Sequence, residues 1–236
     1  MDKEHIRERI WDELEECGQA RFPFPPHGRI PNFADATTAA DRLCATPAWE
    51  NAETVKANPD APQLPVRRAA LRAGKTLFVA VPRLSEPKPF LRLDPDSIDA
   101  IDDATTVSGI SEFGDAVAPE SMEPIDLIVS GSVAVTPDGQ RIGKGEGYSD
   151  LEFAMLREFG LVDDETTTAT TVHEIQVIDP ETMPKASPHD VPIDIVCTPE
   201  RTTETDAGDK PTGIDWPALP TAKIDEIPIL RRLRTE

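Results

Sequence analysis

The chain has 236 residues, with 44 acids against 24 bases and a formal net charge of −20, a length that suits a single domain with a real core. Such a charge argues against a broad nucleic-acid interface, which needs a basic patch to meet phosphates, and the dispersion of the acids suits a folded, salt-screened surface rather than a disordered tail. No apolar run approaches the length that spans a bilayer, Met1 to Leu14 is unlike a signal peptide, and Cys17, Cys44 and Cys197 fit neither a disulfide framework nor a zinc spacing; a soluble cytoplasmic protein with reduced thiols is expected.

Taken in order, residues 3 to 16 predict an amphipathic helix with Ile6, Ile10, Trp11 and Leu14 on one arc and Glu4, Glu8, Asp12, Glu15 and Glu16 opposite. Lys3 and Arg7 fall inside the apolar arc, where they either snorkel from its edge or point inward at an anion. Residues 21 to 33 are proline-rich and extended, with Phe22, Phe24, Ile30 and Phe33 as expected anchors and His27 in a turn. A helix follows over Asp35 to Leu43. The second proline-rich run, residues 56 to 67, reads as a binding loop or a connector and carries Lys56, Gln63 and Arg67.

Beyond it the pattern alternates between helix and strand. A helix is expected over Arg68 to Ala73, and strands over Thr76 to Val81, Ile125 to Val129, Val172 to Ile178 and Ile193 to Cys197. Residues 91 to 123 read as an irregular acidic loop and Val133 to Arg141 as a hairpin turning at Pro137-Asp138-Gly139. Residues 200 to 213 read as a mobile linker, and residues 214 to 236 as a segment docked by Ile214, Trp216, Leu219, Ile227, Ile229 and Leu230. The whole predicts one α/β domain over 1 to 236, a three-layer α/β/α sandwich around a largely parallel sheet. In such folds ligands gather at the carboxyl ends of strands, here Pro82-Arg83, Ser130-Gly131-Ser132 and Thr198 to Arg201.

One stretch stands apart. Arg141-Ile-Gly-Lys-Gly-Glu-Gly-Tyr-Ser-Asp150 places glycines at 143, 145 and 147 immediately before a helix marked by Leu151, Met155 and Phe159 and stopped by Gly160. A glycine loop feeding a helix N-terminus can wrap a phosphate, because free N–H groups and the helix dipole favour an anion there. Ser149 and Glu152 have the spacing of a capping box. The glycine pattern is neither a Walker A loop nor the dinucleotide fingerprint.

The string from Val129 to Asp150, with Arg141, Gly143, Gly145, Gly147, Tyr148 and Asp150 in place, resembles the signature of the 5-formyltetrahydrofolate cyclo-ligase family, also called methenyltetrahydrofolate synthetase. Lys3-Glu-His-Ile-Arg7 resembles that family's first-helix motif, and Asp190-Val-Pro-Ile-Asp194 its late Asp-x-x-x-Asp element. The segments 29 to 33, 56 to 60 and 62 to 67 are similar to the branch of methenyltetrahydrofolate synthetase domain-containing proteins. The resemblance implies a cyclo-ligase-like fold, related to the CoA transferases, that binds MgATP and uses it to close 5-formyltetrahydrofolate to 5,10-methenyltetrahydrofolate.

It also implies roles for particular residues. Lys3, Arg141 and Lys144 would be the catalytic cations. The nucleotide would meet Lys3, Arg7, Arg141, Gly143, Lys144, Gly145, Glu146, Gly147, Tyr148 and Ser149, and Mg2+ would meet Asp150 and Asp190. Lys56, Gln63 and Arg67 would face a reduced folate or another small acceptor. Two departures bear on that acceptor: Gln63 and its neighbours stand where the family's folate-holding glutamate is expected, and the family's Tyr-Tyr and Phe-Asp are Tyr148-Ser149 and Val135-Thr136. A non-catalytic or regulatory nucleotide-binding protein, and a phosphotransferase acting on another small molecule, therefore stand as alternatives.

Overall fold

The computed structural model describes residues 2–234; Met1, Thr235 and Glu236, which the single-domain and C-terminal readings include, lie outside the described residues. The strands are β1 (Ala20–Arg21), β2 (Asn32–Phe33), β3 (Thr54–Ala57), β4 (Thr76–Ala80), β5 (Phe90–Leu93), β6 (Asp115–Val117), β7 (Leu127–Val129), β8 (Ala134–Val135), β9 (Arg141–Ile142), β10 (Thr167–Thr171), β11 (Ile195–Cys197) and β12 (Thr202–Glu204). The helices are α1 (Lys3–Glu16), α2 (Ala36–Cys44), α3 (Pro47–Asn51), α4 (Leu64–Arg72), α5 (Ile101–Ala104), α6 (Val107–Phe113), α7 (Tyr148–Glu158), α8 (Thr221–Glu226) and α9 (Pro228–Leu233).

An eight-stranded sheet runs β12-β11-β10-β7-β3-β4-β5-β6. Its five central strands are parallel, and antiparallel β12, β5 and β6 close the edges. Strand periodicity assigns the two faces. Val55, Ala57, Leu77 and Val79 point toward α2, α3, α4, α5 and α6, whereas Phe78, Ala80 and Ile128 point toward α7, α8 and α9. This is the expected three-layer arrangement. Helix α1, started by an Asp2 cap that accepts from His5 N at 2.8 Å, lays Ile6, Ile10, Trp11 and Leu14 on the antiparallel β8-β9 hairpin.

Several segments differ from the expectation. The last-but-one parallel strand is the threonine run 167–171, not 172–178; at Val172 the chain leaves the sheet for a short turn over Glu174–Gln176. Threonine is β-branched and fits a pleated sheet. Buried Thr168 and Thr170 hydroxyls donate to Pro192 O and Ser130 O, both at 2.7 Å. The supposed acidic loop 91–123 contains β5, α5, α6 and β6. The second proline-rich run divides into the end of β3, a 3-10 turn over Ala61–Gln63, and α4, whose first turn holds Pro65, where a missing N–H costs nothing.

Residues 200–213 are not a free linker: β12 pairs with β11, and buried Lys210 meets Asp194 at 2.9 Å and Asp164 O at 3.1 Å. In the first proline-rich segment Ile30 and Phe33 are buried as expected, but Phe22 and Phe24 are 78% and 57% exposed.

Candidate functional site

A cleft of about 370 Å³ opens at the carboxyl ends of β3, β4 and β7, with the glycine loop as one wall. Gly145 has φ +108° and Gly147 φ +68°; Gly147 is itself the cap residue of α7. The capping box expected at Ser149 does not form. Ser149 lies inside the first helical turn, its hydroxyl 3.2 Å from Ser130 Oγ, and Glu152 is turned inward.

Two arginines hold the loop from below. Arg7 donates from Nε to Gly143 O at 2.8 Å and from an Nη to Glu4 at 2.6 Å, so it points inward rather than snorkelling. A Cβ on Gly145 would lie 3.3 Å from the Arg7 Cζ. Arg141, almost fully buried, donates to Gly131 O at 2.9 Å and to Asp150 Oδ1 at 2.7 Å. Its Nε has no hydrogen-bond partner among the described residues. Burial alone would push the Asp150 carboxyl up, but the Arg141 charge and hydrogen bond, with the Val191 N–H at 3.1 Å, hold it below its ordinary value.

Lys3 and Asp190 do not line the cleft; they line a smaller pocket of about 30 Å³ that shares Arg141 with it. Lys3 Nζ donates to Asp190 Oδ2 at 2.7 Å, and Ser187 N donates to the same oxygen at 2.9 Å. Both contacts to Asp150 likewise fall on one oxygen, Oδ1. Each carboxylate thus keeps one oxygen without a hydrogen-bond partner among the described residues. No group of three or more His, Cys, Asp or Glu among these residues is placed to hold a metal by itself. Lys144 stands at the mouth, paired with Glu146 at 2.8 Å.

The three expected acceptor residues are placed otherwise. Lys56 is 1% exposed; it alternates with Val55 and Ala57, so it faces α7 and forms a buried ion pair with Glu152. Arg67, equally buried, donates to Thr105 O at 3.0 Å, Asn58 O at 2.6 Å and Asp60 O at 2.9 Å, and burial lowers its guanidinium to about 10. Its Nε and Nη1 donors go to backbone carbonyls and it does not line the cleft, so the expectation that Arg67 faces an acceptor gives way to a structural role in holding the β3–α4 turn. Gln63 is fully buried and neither amide atom has a partner among the described residues; its Oε1 would lie 3.2 Å from a Cβ on Gly131, so it backs the cleft wall rather than lining the cleft.

Asn58, Asp60 and Lys223 were not singled out as site residues from the sequence; the first two line the cleft, and Lys223 contacts the glycine loop without lining it. Asn58 Oδ1 accepts from Gly131 N at 3.1 Å and ties β3 to the chain after β7. Asp60 lines the cleft, and burial raises its carboxyl above the ordinary value against the pull of Lys144 and Arg67. Arg83, at φ +58°, stands exposed at the end of β4. Lys223 reaches the loop from α8. Position at a carboxyl strand end pointed to Arg83 and could have flagged Asn58 and Asp60 too; nothing local marks Lys223.

A largely parallel α/β sheet with a glycine loop, a helix N-terminus and the buried Arg141 at one strand-end cleft has the features by which such folds can receive an anion. Residues 1–199 match the 5-formyltetrahydrofolate cyclo-ligase family, and the chain belongs to that family. It is 43% identical over 239 aligned positions to the methenyltetrahydrofolate synthase domain-containing protein of Mus musculus, covering 99% of this chain and 63% of the relative. The protein of the same name from Bos taurus is 41% identical, with 99% and 62% covered. The chain therefore spans less than two thirds of the length of these relatives.

Among solved structures, the 5,10-methenyltetrahydrofolate synthetase of Aquifex aeolicus superposes with a TM-score of 0.54 at 18% identity, covering 89% of this chain and 96% of that one. That likeness shows a shared fold. Among the described residues no helix is long and apolar enough to cross a membrane.

Proposed function

We propose that the cleft binds MgATP and that the chain is a cyclo-ligase-type protein acting on a reduced folate. The observation that carries this reading is convergence. The loop at Gly143 to Gly147, the α7 N-terminus, Arg141 and Lys144 meet in one cleft of an otherwise acidic protein, with Arg7 bracing the loop and Lys3 at a smaller pocket that shares Arg141. The residues also suit the metal. Magnesium takes one or two carboxylates and completes its shell with phosphate oxygens and water, and Asp150 and Asp190 each leave one oxygen uncommitted.

Bound there, MgATP would supply the phosphoryl group that activates the formyl oxygen of 5-formyltetrahydrofolate. The chain's own part is positioning and charge neutralisation. Arg141, fixed by Gly131 O and Asp150, presents its guanidinium to the loop, while Arg7 fixes the carbonyl of Gly143. Lys144, partly exposed and able to leave Glu146, follows the transferred charge.

A second reading, nucleotide binding without ligase turnover, draws on Gln63: its amide is sealed behind Gly131, where the family resemblance expects a glutamate facing the folate. Two measurements decide. MgATP at saturation raises Tm by mass action, and the rise shrinks in Arg141→Ala; no shift in the unaltered protein removes the nucleotide site. Adding 5-formyltetrahydrofolate with MgATP and following methenyl absorbance then separates the readings, with slow or absent turnover expected from the sealed Gln63. Rapid cyclisation would discard the second reading, and activity gained in Gln63→Glu would show that this position governs the acceptor.

A further inference from the structure

The family match ends at residue 199, yet the alignment to the mouse relative covers 99% of the chain and so extends past that point. The later residues return to the site. Ile214 N donates to Glu158 at 2.8 Å, and Ile224, Ile227, Ile229 and Leu230 bury themselves against Leu151, Phe153, Ala154 and Met155 of α7. The helix that the glycine loop enters is thus packed by this segment. From α8, Lys223 passes back over the loop, donates to Glu146 O and lies 4.2 Å from the centroid of the Tyr148 ring. A Cβ on Gly147 would lie 3.8 Å from its Nζ.

We propose that residues 214–234 form a strap and that Lys223 is a positioning residue, clamping Glu146-Gly147-Tyr148 so that the loop keeps its anion-facing conformation. The physical basis is the competition at this turn. Gly145 and Gly147 both stand at positive φ, and glycines hold a given conformation at a high entropic cost. A charged hydrogen bond to the Glu146 carbonyl and an ammonium over the Tyr148 face oppose that cost, each the stronger for being half-buried. The clamp also leaves a cation beside the loop, where an anion would gain from it. Lys223 acts through the loop, and only its effect on a ligand rests on the MgATP reading.

The test therefore has an arm that needs no ligand. In the free protein, Lys223→Met speeds amide hydrogen exchange of Leu151, whose N–H is held by Gly147 O at 3.2 Å, by about tenfold, the worth of one charged hydrogen bond, while amides of residues 153–158 keep their rates. Lys223→Arg, which keeps the charge and the stacking, restores most of the protection. Unchanged exchange in Lys223→Met overturns the strap, and equal acceleration throughout α7 overturns it too, by showing general loosening.

The second arm uses MgATP and inorganic tripolyphosphate as probes in calorimetry. Affinity for both falls about tenfold in Lys223→Met and recovers in Lys223→Arg. If the unaltered protein binds neither probe, the nucleotide reading fails and the exchange arm alone decides the strap. If it binds both and Lys223→Met binds them equally well, the clamp has no bearing on the site and the proposal is wrong.

Discussion

Lys56 and Glu152 form a buried pair whose worth lies in being complete. Strand alternation turns Lys56 toward α7, and the inward side of α7's first turns brings Glu152 to it. Deleting one charge leaves the other desolvated, at a cost of about 3–5 kcal/mol, whereas replacing both by apolar groups of similar size is often neutral. Lys56→Met alone should lower the unfolding free energy by about that amount in urea titrations, and Lys56→Met with Glu152→Leu should recover most of it. Additive losses in the double variant would show that the two residues do not act as a unit. Asp60 carries a different imbalance. Burial raises its carboxyl above 3.8 in the folded state. The folded chain then holds the proton more tightly than the unfolded one, so the stabilisation is present below the unfolded value and is lost as pH rises through the folded value. The ionised form is a standing cost at neutral pH, and Asp60→Asn should raise Tm at pH 7 while leaving it unchanged near pH 3. Asp150, held below 3.8, has the opposite sign: its contribution is present above the unfolded value and fades as pH falls through the folded one. A Tm for Asp60→Asn that parallels the unaltered protein at every pH would refute the assignment.

The glycine loop and α7 work as one element, and two glycines at positive φ separate its structural from its binding role. Gly145 and Gly160 both have positive φ, but a Cβ on Gly145 would meet the Arg7 guanidinium whereas one on Gly160 would meet nothing within 4 Å. A side chain in the left-handed region costs about 1–2 kcal/mol. Gly145→Ala and Gly160→Ala should therefore both lower Tm by a few degrees, and only Gly145→Ala should lose the MgATP shift. Equal MgATP shifts in the two variants would show that the loop does not contact the nucleotide. This loop was legible in the sequence because its residues are contiguous, as was α1, whose bounds follow from its period and from the acids opposite its apolar arc. Strand β10 was not legible, since a run of threonines carries no apolar signal and owes its burial to carbonyl acceptors on neighbouring chain. The same limit explains the site. Asp60 reaches the cleft through the crossover order of the sheet, and Lys223 reaches the glycine loop through the return of the C-terminal segment. Arg67 and Lys56 leave it because their partners, three carbonyls and a helix glutamate, are set by tertiary packing.

At the scale of the molecule, the charge is distributed unevenly. Lys3, Lys56, Arg141 and Lys210 are spent on buried or half-buried carboxylates, while the outer face of α1 presents Glu4, Glu8, Asp12, Glu15 and Glu16 largely to solvent, with His27 lying among three of them. A net charge of −20 therefore sits mainly at the surface as self-repulsion. Salt should act on surface and cleft in opposite directions. Screening is nearly complete at about 1 M, where the Debye length is about 3 Å, so the Tm of the free protein should climb steeply to that point. Any further climb in potassium chloride would go beyond screening. In the cleft, by contrast, the same ions weaken the attraction of Lys144, Arg7 and Arg141 for a polyanion, so the extra stabilisation given by a fixed MgATP concentration should shrink as the baseline rises. Thermal scans over a potassium chloride series, with and without MgATP, measure both trends. Equal denaturation midpoints in dilute buffer and molar salt would dispose of the self-repelling surface, and an MgATP shift that grew with salt would show that the cleft does not bind its ligand through these cations.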